Sequence, residues 1–338
     1  MGLPQTLFCS TSMGIGKTDW LRCEHLIYQF DFAFPPHYNS LKYQKDQRTM
    51  YVNPREGNTF IDRAVTSPFE LHEVLLEQGS GEVNEDVLSV ENDLYIVCDG
   101  ATSISDAPEL LATSGGQQAA AIVAEIFSEN DRSLEEMVRR SNRRIHEAMG
   151  QWSIDWDDRT ALWSTSFAAV RFDGDYLEWA QSGDCLIMLV YHDGAGKLLA
   201  DPPGHDTATL KKWKEIGPDA EGSIHDVLAS EIAAVRSAMN RDYGVLNGEQ
   251  SALDFVKYGL QELSFVKDIL LFSDGLWLPT ESPEEPLDTA AVIELYDRGG
   301  LSGIRDKIRT LQEQDPRCCR YPRFKTFDDI SAIALQRR

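Results

Sequence analysis

The chain has 338 residues, 42% of them apolar and 26% charged, enough to bury a real core in one large domain or two ordinary ones. Its formal net charge of -23 repels phosphate backbones and anionic bilayers, so nucleic acid and membrane surfaces are set aside as partners. No apolar run approaches the roughly 20 residues that would span a bilayer, and no basic-then-apolar leader is present at the N-terminus.

The six cysteines, Cys9, Cys23, Cys98, Cys185, Cys318 and Cys319, form no C-x-x-C pair, and a reduced, cytoplasmic protein is the expectation. Cys98 and Cys185 sit in apolar runs and read as small core residues. Residues 1–65 carry aromatic and proline residues without a sustained period and read as an N-terminal extension. Met13 to Thr18 matches the tail of a phosphate loop, but Thr11 stands where the pattern needs glycine, so the match is a coincidence.

From about residue 66 the texture changes to a folded unit running to residue 338. Val87 to Val90 and Leu94 to Cys98 read as strands joined by the turn Glu91-Asn92-Asp93. A helix is expected from Asp106 and Pro108 to Phe127, and a second from a capping box at Ser133-Leu134-Glu135-Glu136, with Met137, Ile145 and Met149 on its buried face. Strands follow at Ser166–Arg171, Tyr176–Gln181 and Cys185–Tyr191. Tight turns at Phe172-Asp173-Gly174-Asp175 and Ser182-Gly183-Asp184 make these strands antiparallel neighbours. Residues 201–265 are polar and mostly helical and read as a flap inserted over one end of the sheets. The strand Ile269–Ser273, helices at Asp288–Tyr296 and from Ser302, and a last strand Ile330–Leu335 complete the chain. Antiparallel runs separated by paired helices predict an α+β fold, a layered sandwich.

The chemistry gathers at strand ends. Val97-Cys98 delivers Asp99-Gly100, and Phe272-Ser273 delivers Asp274-Gly275. An Asp-Gly pair is also an ordinary turn, but two copies on apolar strands, with Glu85, Asp86, Asp184, Asp328 and Asp329 at other strand ends, make a carboxylate constellation. Unpaired carboxylates are costly beside apolar strands, and hard divalent cations relieve their repulsion. No His/Cys cluster accompanies them, which argues against zinc.

The order of these motifs resembles the metal-dependent protein phosphatase family typified by protein phosphatase 2C. The likeness lies in Asn84-Glu85-Asp86, Cys98-Asp99-Gly100, Ser182-Gly183-Asp184, Ser273-Asp274-Gly275 and Asp328-Asp329-Ile330-Ser331, over roughly residues 80–336. It implies an α-β-β-α sandwich of two antiparallel sheets flanked by helices. It also implies a catalytic domain at 66–338 that hydrolyses phosphoserine or phosphothreonine in phosphoprotein substrates, using water activated between two Mn²⁺ or Mg²⁺ ions. By the resemblance, Asp99 bridges the ions and Gly100 offers its carbonyl. Glu85 belongs to one ion and Asp274 and Asp328 to the other, with Asp99 and Asp274 the key catalytic carboxylates. Asp86 holds waters, Asp184 contributes to a third ion site, and Asp329 stands behind the ligands. Three positions depart from the pattern: no arginine precedes Glu85 in Gly79–Val83, no histidine follows Gly100, and Cys185-Leu186 replaces Ser-Arg. Two other functions stay open, a partner-binding pseudophosphatase and a phosphatase for a small metabolite.

Overall fold

The strand that ends in Asp99-Gly100 is buried over five consecutive residues, Leu94 to Cys98, so both of its faces need cover. In the computed structural model, which describes residues 40–41, 67–101 and 113–338, each face finds a different layer. Ile96 and Cys98 pack against helices, while Tyr95 and Val97 pack against a second sheet.

In chain order the elements are β1 (Ser40–Leu41), β2 (Phe69–Glu77), β3 (Asp86–Glu91), β4 (Leu94–Ala101), α1 (Gly115–Ser128), α2 (Leu134–Gln151), β5 (Ser164–Asp173), β6 (Tyr176–Ser182), β7 (Leu186–Tyr191) and β8 (Gly196–Leu198). They continue with α3 (Thr207–Ile216), α4 (Ile224–Val227), α5 (Ala229–Ser237), β9 (Lys257–Glu262), β10 (Val266–Phe272), α6 (Thr289–Glu313) and β11 (Ile330–Arg337). One sheet has six strands in the order β1-β2-β11-β10-β7-β8, the other five in the order β3-β4-β5-β6-β9, and all pairings are antiparallel.

Alternation along the strands divides the core into three layers. Val97, Ala168, Val170, Ile187, Leu189, Ile269, Leu271 and Ile333 fill the space between the sheets. Ala119, Val123 and Phe127 of α1 and Met137, Ile145 and Met149 of α2 cover the outer face of the five-stranded sheet. Val292, Ile293, Ile304 and Ile308 of α6 cover the outer face of the six-stranded sheet. The fold is thus the α-β-β-α sandwich.

Several local expectations change. The strand Phe69–Glu77 has no counterpart in the sequence reading and pairs along its length with β11. Ser182-Gly183-Asp184 does not join hairpin partners: β6 belongs to the five-stranded sheet and β7 to the six-stranded one. Gly183, at φ +75°, lets the chain step across the end of the sandwich instead of folding back in one plane. Ser133 accepts from the Glu136 amide, the forward half of the expected box, while the full reciprocal box forms at Ser223 and Asp226. The stretch 201–265 carries α3, α4 and α5 as expected, but it also contains β9, an edge strand of the five-stranded sheet. The two helices expected after Asp274 are both present, on either side of the non-helical Gly300 within Thr289–Glu313. The N-terminal extension, with Cys9 and Cys23, and Asp106 and Pro108 lie outside the described residues, except for β1, but α1 starts only at Gly115, capped by the extended Ser114, and does not run on from Asp106 as expected. No helix among the described residues is long and apolar enough to cross a membrane.

Candidate metal centre

The register of the strands decides which carboxylates can meet. Asp86 opens β3 directly opposite Asp99 on β4. Asp99 is opposite Ser166 on β5, and Phe167 on β5 is opposite Ser182, whose crossing loop carries Asp184. In the other sheet Phe272 pairs with Leu186 and with Ala332, so Asp274, Asp184 and the start of β11 share one end. Asp86, Asp99, Asp184, Asp274, Asp328 and Asp329 therefore gather at one end of the sandwich, where the sheets approach each other.

Close backbone approaches build this end. A Cβ on Gly100 would lie 2.3 Å from the Gly116 carbonyl oxygen, so the first turn of α1 rests directly on the tip of β4. A Cβ on Gly275 would lie 1.8 Å from the Asp329 carbonyl oxygen. Both glycines are required by what comes close to them, as the two Asp-Gly strand ends suggested.

Each carboxylate has a defined setting. Glu85, 3% exposed, accepts from the Ser114 hydroxyl that also caps α1, and its own amide donates to Asp329 at 2.9 Å. Asp329 accepts a second amide bond from Gly79 at 2.7 Å, so it ties the Gly79 loop to Glu85 behind the cluster. Asp86 accepts from the Ser273 hydroxyl at 2.6 Å, and Ser273 in turn accepts from the Ser331 amide at 3.0 Å, which links β3, β10 and β11. Asp274 and Asp99 act on each other's carboxyls electrostatically. Arg309 of α6 holds the Asp328 carbonyl at 2.8 Å and Glu77 of β2 at 2.8 Å.

The electrostatics follow from crowding. Burial pushes the Asp86 carboxyl up to about 7 against the pull of the Ser273 hydroxyl, and Asp329 and Asp328 add to the rise. Loss of water raises Asp99 well above the carboxylate range, with Asp86, Asp274, Asp184 and Asp328 contributing. Asp274 rises for the same reasons, desolvation first and then Asp328, Asp184 and Asp86. Ionising these three together calls for positive charge close by.

Two basic side chains that sequence reasoning missed reach the cluster. Lys325 stands 2.9 Å from Asp328 Oδ1 and 3.9 Å from Glu85 Oε2. Arg236 comes from α5 in the flap and donates to the Ala101 carbonyl at 2.6 Å, and its guanidinium interacts electrostatically with Glu85 and Asp99. The flap also brings His205, stacked on Tyr243 with ring centroids 3.8 Å apart, and Asp206, which feels the charge of Asp184. Lys325 lies three residues before Asp328, a spacing that could have flagged it. Arg236 is 135 residues from Ala101, and no local pattern points to it.

The donor set suits a hard divalent ion, being all oxygen, mutually repelling, buried at Glu85 and Asp86 and desolvated at Asp99. Among the described residues no group of three or more His, Cys, Asp or Glu side chains is arranged to hold a metal ion.

No family model matches the sequence, and no curated protein matches it. Solved structures of serine/threonine phosphatases resemble it in fold. The catalytic domain of PstP, in complex with two manganese ions, is 16% identical, with 79% of this chain and 97% of that chain covered at a TM-score of 0.49. Stp1 from Staphylococcus aureus is 12% identical, with 85% and 99% covered at 0.49. A further structure, PppA, a key regulatory component of T6SS in Pseudomonas aeruginosa, is 13% identical, with 80% and 98% covered at 0.49. At such identities and scores no residue role transfers, and the chemistry has to be read from this chain's own side chains.

Proposed function

We propose that the protein is a metal-dependent phosphomonoester hydrolase, with phosphoserine or phosphothreonine in proteins as its substrate. The observation that carries the reading is the convergence of Asp86, Asp99, Asp184, Asp274 and Asp328, from both sheets, at one desolvated end of the sandwich. Asp99 and Asp274 are the central ligands, Glu85, Asp86, Asp184, Asp328 and the Gly100 carbonyl complete the donor set, and Asp329 positions Glu85 through its amide. Two Mn²⁺ or Mg²⁺ ions, when bound, supply Lewis acidity toward water and the phosphoryl oxygens. In the reaction a water oxygen bonds to phosphorus as the ester P–O bond breaks, and the alcohol leaves with a proton. Arg236 faces the cluster from the flap and meets the phosphoryl oxygens as a guanidinium. Ser273 keeps Asp86 oriented as an acceptor for water.

The test is phosphate release from p-nitrophenyl phosphate and a phosphothreonine peptide by EDTA-stripped protein, with Mn²⁺ or Mg²⁺ restored. Asp99→Asn and Asp274→Asn are each expected to lose about 100-fold or more of the metal-restored rate while the melting transition survives. Equal release by parent and both variants refutes the reading.

One observation favours a second reading, a metal-poor scaffold that binds a partner: the Lys325 ammonium already supplies positive charge between Glu85 and Asp328. Calorimetry separates the two readings, since the scaffold takes up no Mn²⁺ at millimolar concentration.

A further inference from the structure

We propose that Lys325 is a tethered counter-ion of the carboxylate cluster that competes with divalent metal, so that metal enters only by displacing its ammonium from Asp328 and Glu85. The inference rests on the metal-dependent reading above and goes beyond it, because it makes metal occupancy conditional on a side chain of the chain itself.

The geometry is specific. The ammonium lies 2.9 Å from Asp328 Oδ1 on one side and 3.9 Å from Glu85 Oε2 on the other. These carboxylates come from different ends of the sequence, and Asp329 binds the Glu85 amide, so both are held in place around the lysine. The Lys325 side chain is about one-third exposed, while Glu85 is almost fully buried. The cation thus enters from the solvent edge and reaches inward along the opening of the cluster.

The lysine is also presented by a braced segment. Arg323, two residues earlier, bonds the Asp315 carboxylate at 2.9 Å and the Asp315 carbonyl at 2.6 Å, and Tyr321 donates its amide to the same carboxylate at 2.9 Å. On the other side, Phe327 accepts the Ser80 amide at 2.8 Å, and Arg309 clamps the Asp328 carbonyl. The backbone on both sides of Lys325 is anchored, so the side chain is aimed and only its flexible stem is left to move.

The consequence is electrostatic. An ion bound to Asp328 Oδ1 at the usual oxygen distance of about 2.1 Å would lie no more than about 5 Å from the ammonium where it now stands. A monovalent and a divalent cation that close repel each other strongly in a partly desolvated site. The lysine must swing out or the ion must stay out, and apparent metal affinity falls by whatever the ammonium's pairs with Asp328 and Glu85 contribute.

The experiment is a calorimetric titration of Mn²⁺ into the EDTA-stripped full chain and its Lys325→Met and Lys325→Arg variants, with melting curves to check folding. Lys325→Met is expected to bind Mn²⁺ at least about tenfold more tightly, and Lys325→Arg, which keeps the charge, to stay within about threefold of the parent. Binding by Lys325→Met alone, with the parent taking up none, supports the competition and places the parent itself with the metal-poor scaffold. Binding by the parent with no tightening in Lys325→Met overturns the proposal and leaves the phosphatase reading standing. Absence of binding in all three chains overturns both. If Lys325→Met does not fold, reductive methylation of the parent decides: Lys325 is expected to label faster with saturating Mn²⁺ than without it, and unchanged or slower labelling overturns the proposal.

Discussion

At the scale of single residues, the centre is a problem of charge. Asp86 carries a carboxyl moved from 3.8 to about 7, chiefly by burial. A carboxylate raised in the folded state costs nothing below its unfolded value, where both states hold the proton. The penalty grows as pH rises between the two values and is complete above the folded one. The EDTA-stripped protein is therefore expected to melt at a lower temperature at pH 8 than at pH 5, and Asp86→Asn to reduce that difference. A parental melting temperature that is flat or rising across this window would contradict the assignment. Arg236 makes a separate prediction, because its guanidinium is the flap's cation at the tip of β4. Arg236→Ala is expected to raise KM for a phosphomonoester about tenfold at saturating Mn²⁺, corresponding to about 1.4 kcal/mol. An unchanged KM would remove Arg236 from the substrate's path.

At the scale of elements, what counts is how each segment is forced to the same end of the sandwich. The run Thr289–Glu313 breaks at Gly300, where φ is +66° and ψ is −159°, a conformation only glycine adopts without strain. The break frees amides that Glu73 of β2 caps: its carboxylate accepts from Leu301 at 2.8 Å and from Ser302 at 3.2 Å. A Cβ at Gly300 would meet a Glu73 oxygen at 2.3 Å. Gly300→Ala is expected to destabilise the protein by about 2 kcal/mol or more, measured by denaturant unfolding, because strain and lost caps act together. The second half of the helix carries Arg305 and Arg309, which bind Glu77 at 2.6 Å and 2.8 Å, and through Arg309 it reaches Asp328. The kink thus aligns the arginine that steadies one edge of the centre.

At the scale of the whole molecule, a net charge of -23 is compounded by carboxylates concentrated at one end. A ligand that binds the native state alone stabilises it in proportion to its concentration over its dissociation constant. Millimolar Mn²⁺ is expected to raise the melting temperature of the stripped parent, by more at pH 8 than at pH 5, because the carboxyls must lose their protons to take the ion. Asp99→Asn is expected to lose most of this rise. An equal rise in parent and variant would place Mn²⁺ elsewhere on the acidic surface.

Much of the carboxylate cluster was legible in the sequence, because a carboxylate at the end of an apolar strand is a local pattern. Val97-Cys98-Asp99-Gly100 and Phe272-Ser273-Asp274-Gly275 could be read from neighbours alone, and so could the burial of Met137, Ile145 and Met149 by helical spacing. The layered α+β class followed from strand and helix order. Long-range pairing was beyond local reading. Whether Ser182-Gly183-Asp184 folds a hairpin or crosses between sheets depends on which strands β6 and β7 pair with, and those pairings are to residues far away in the chain. The strand Phe69–Glu77 gains its identity from β11, more than 250 residues later. Arg236 and Lys325 look like ordinary surface cations in sequence, because charge carries no periodicity that announces its partner. The chain by itself determined which residues could be ligands; only the tertiary structure decided which cations face them, because electrostatic contacts are set by distance in space and not by order along the chain.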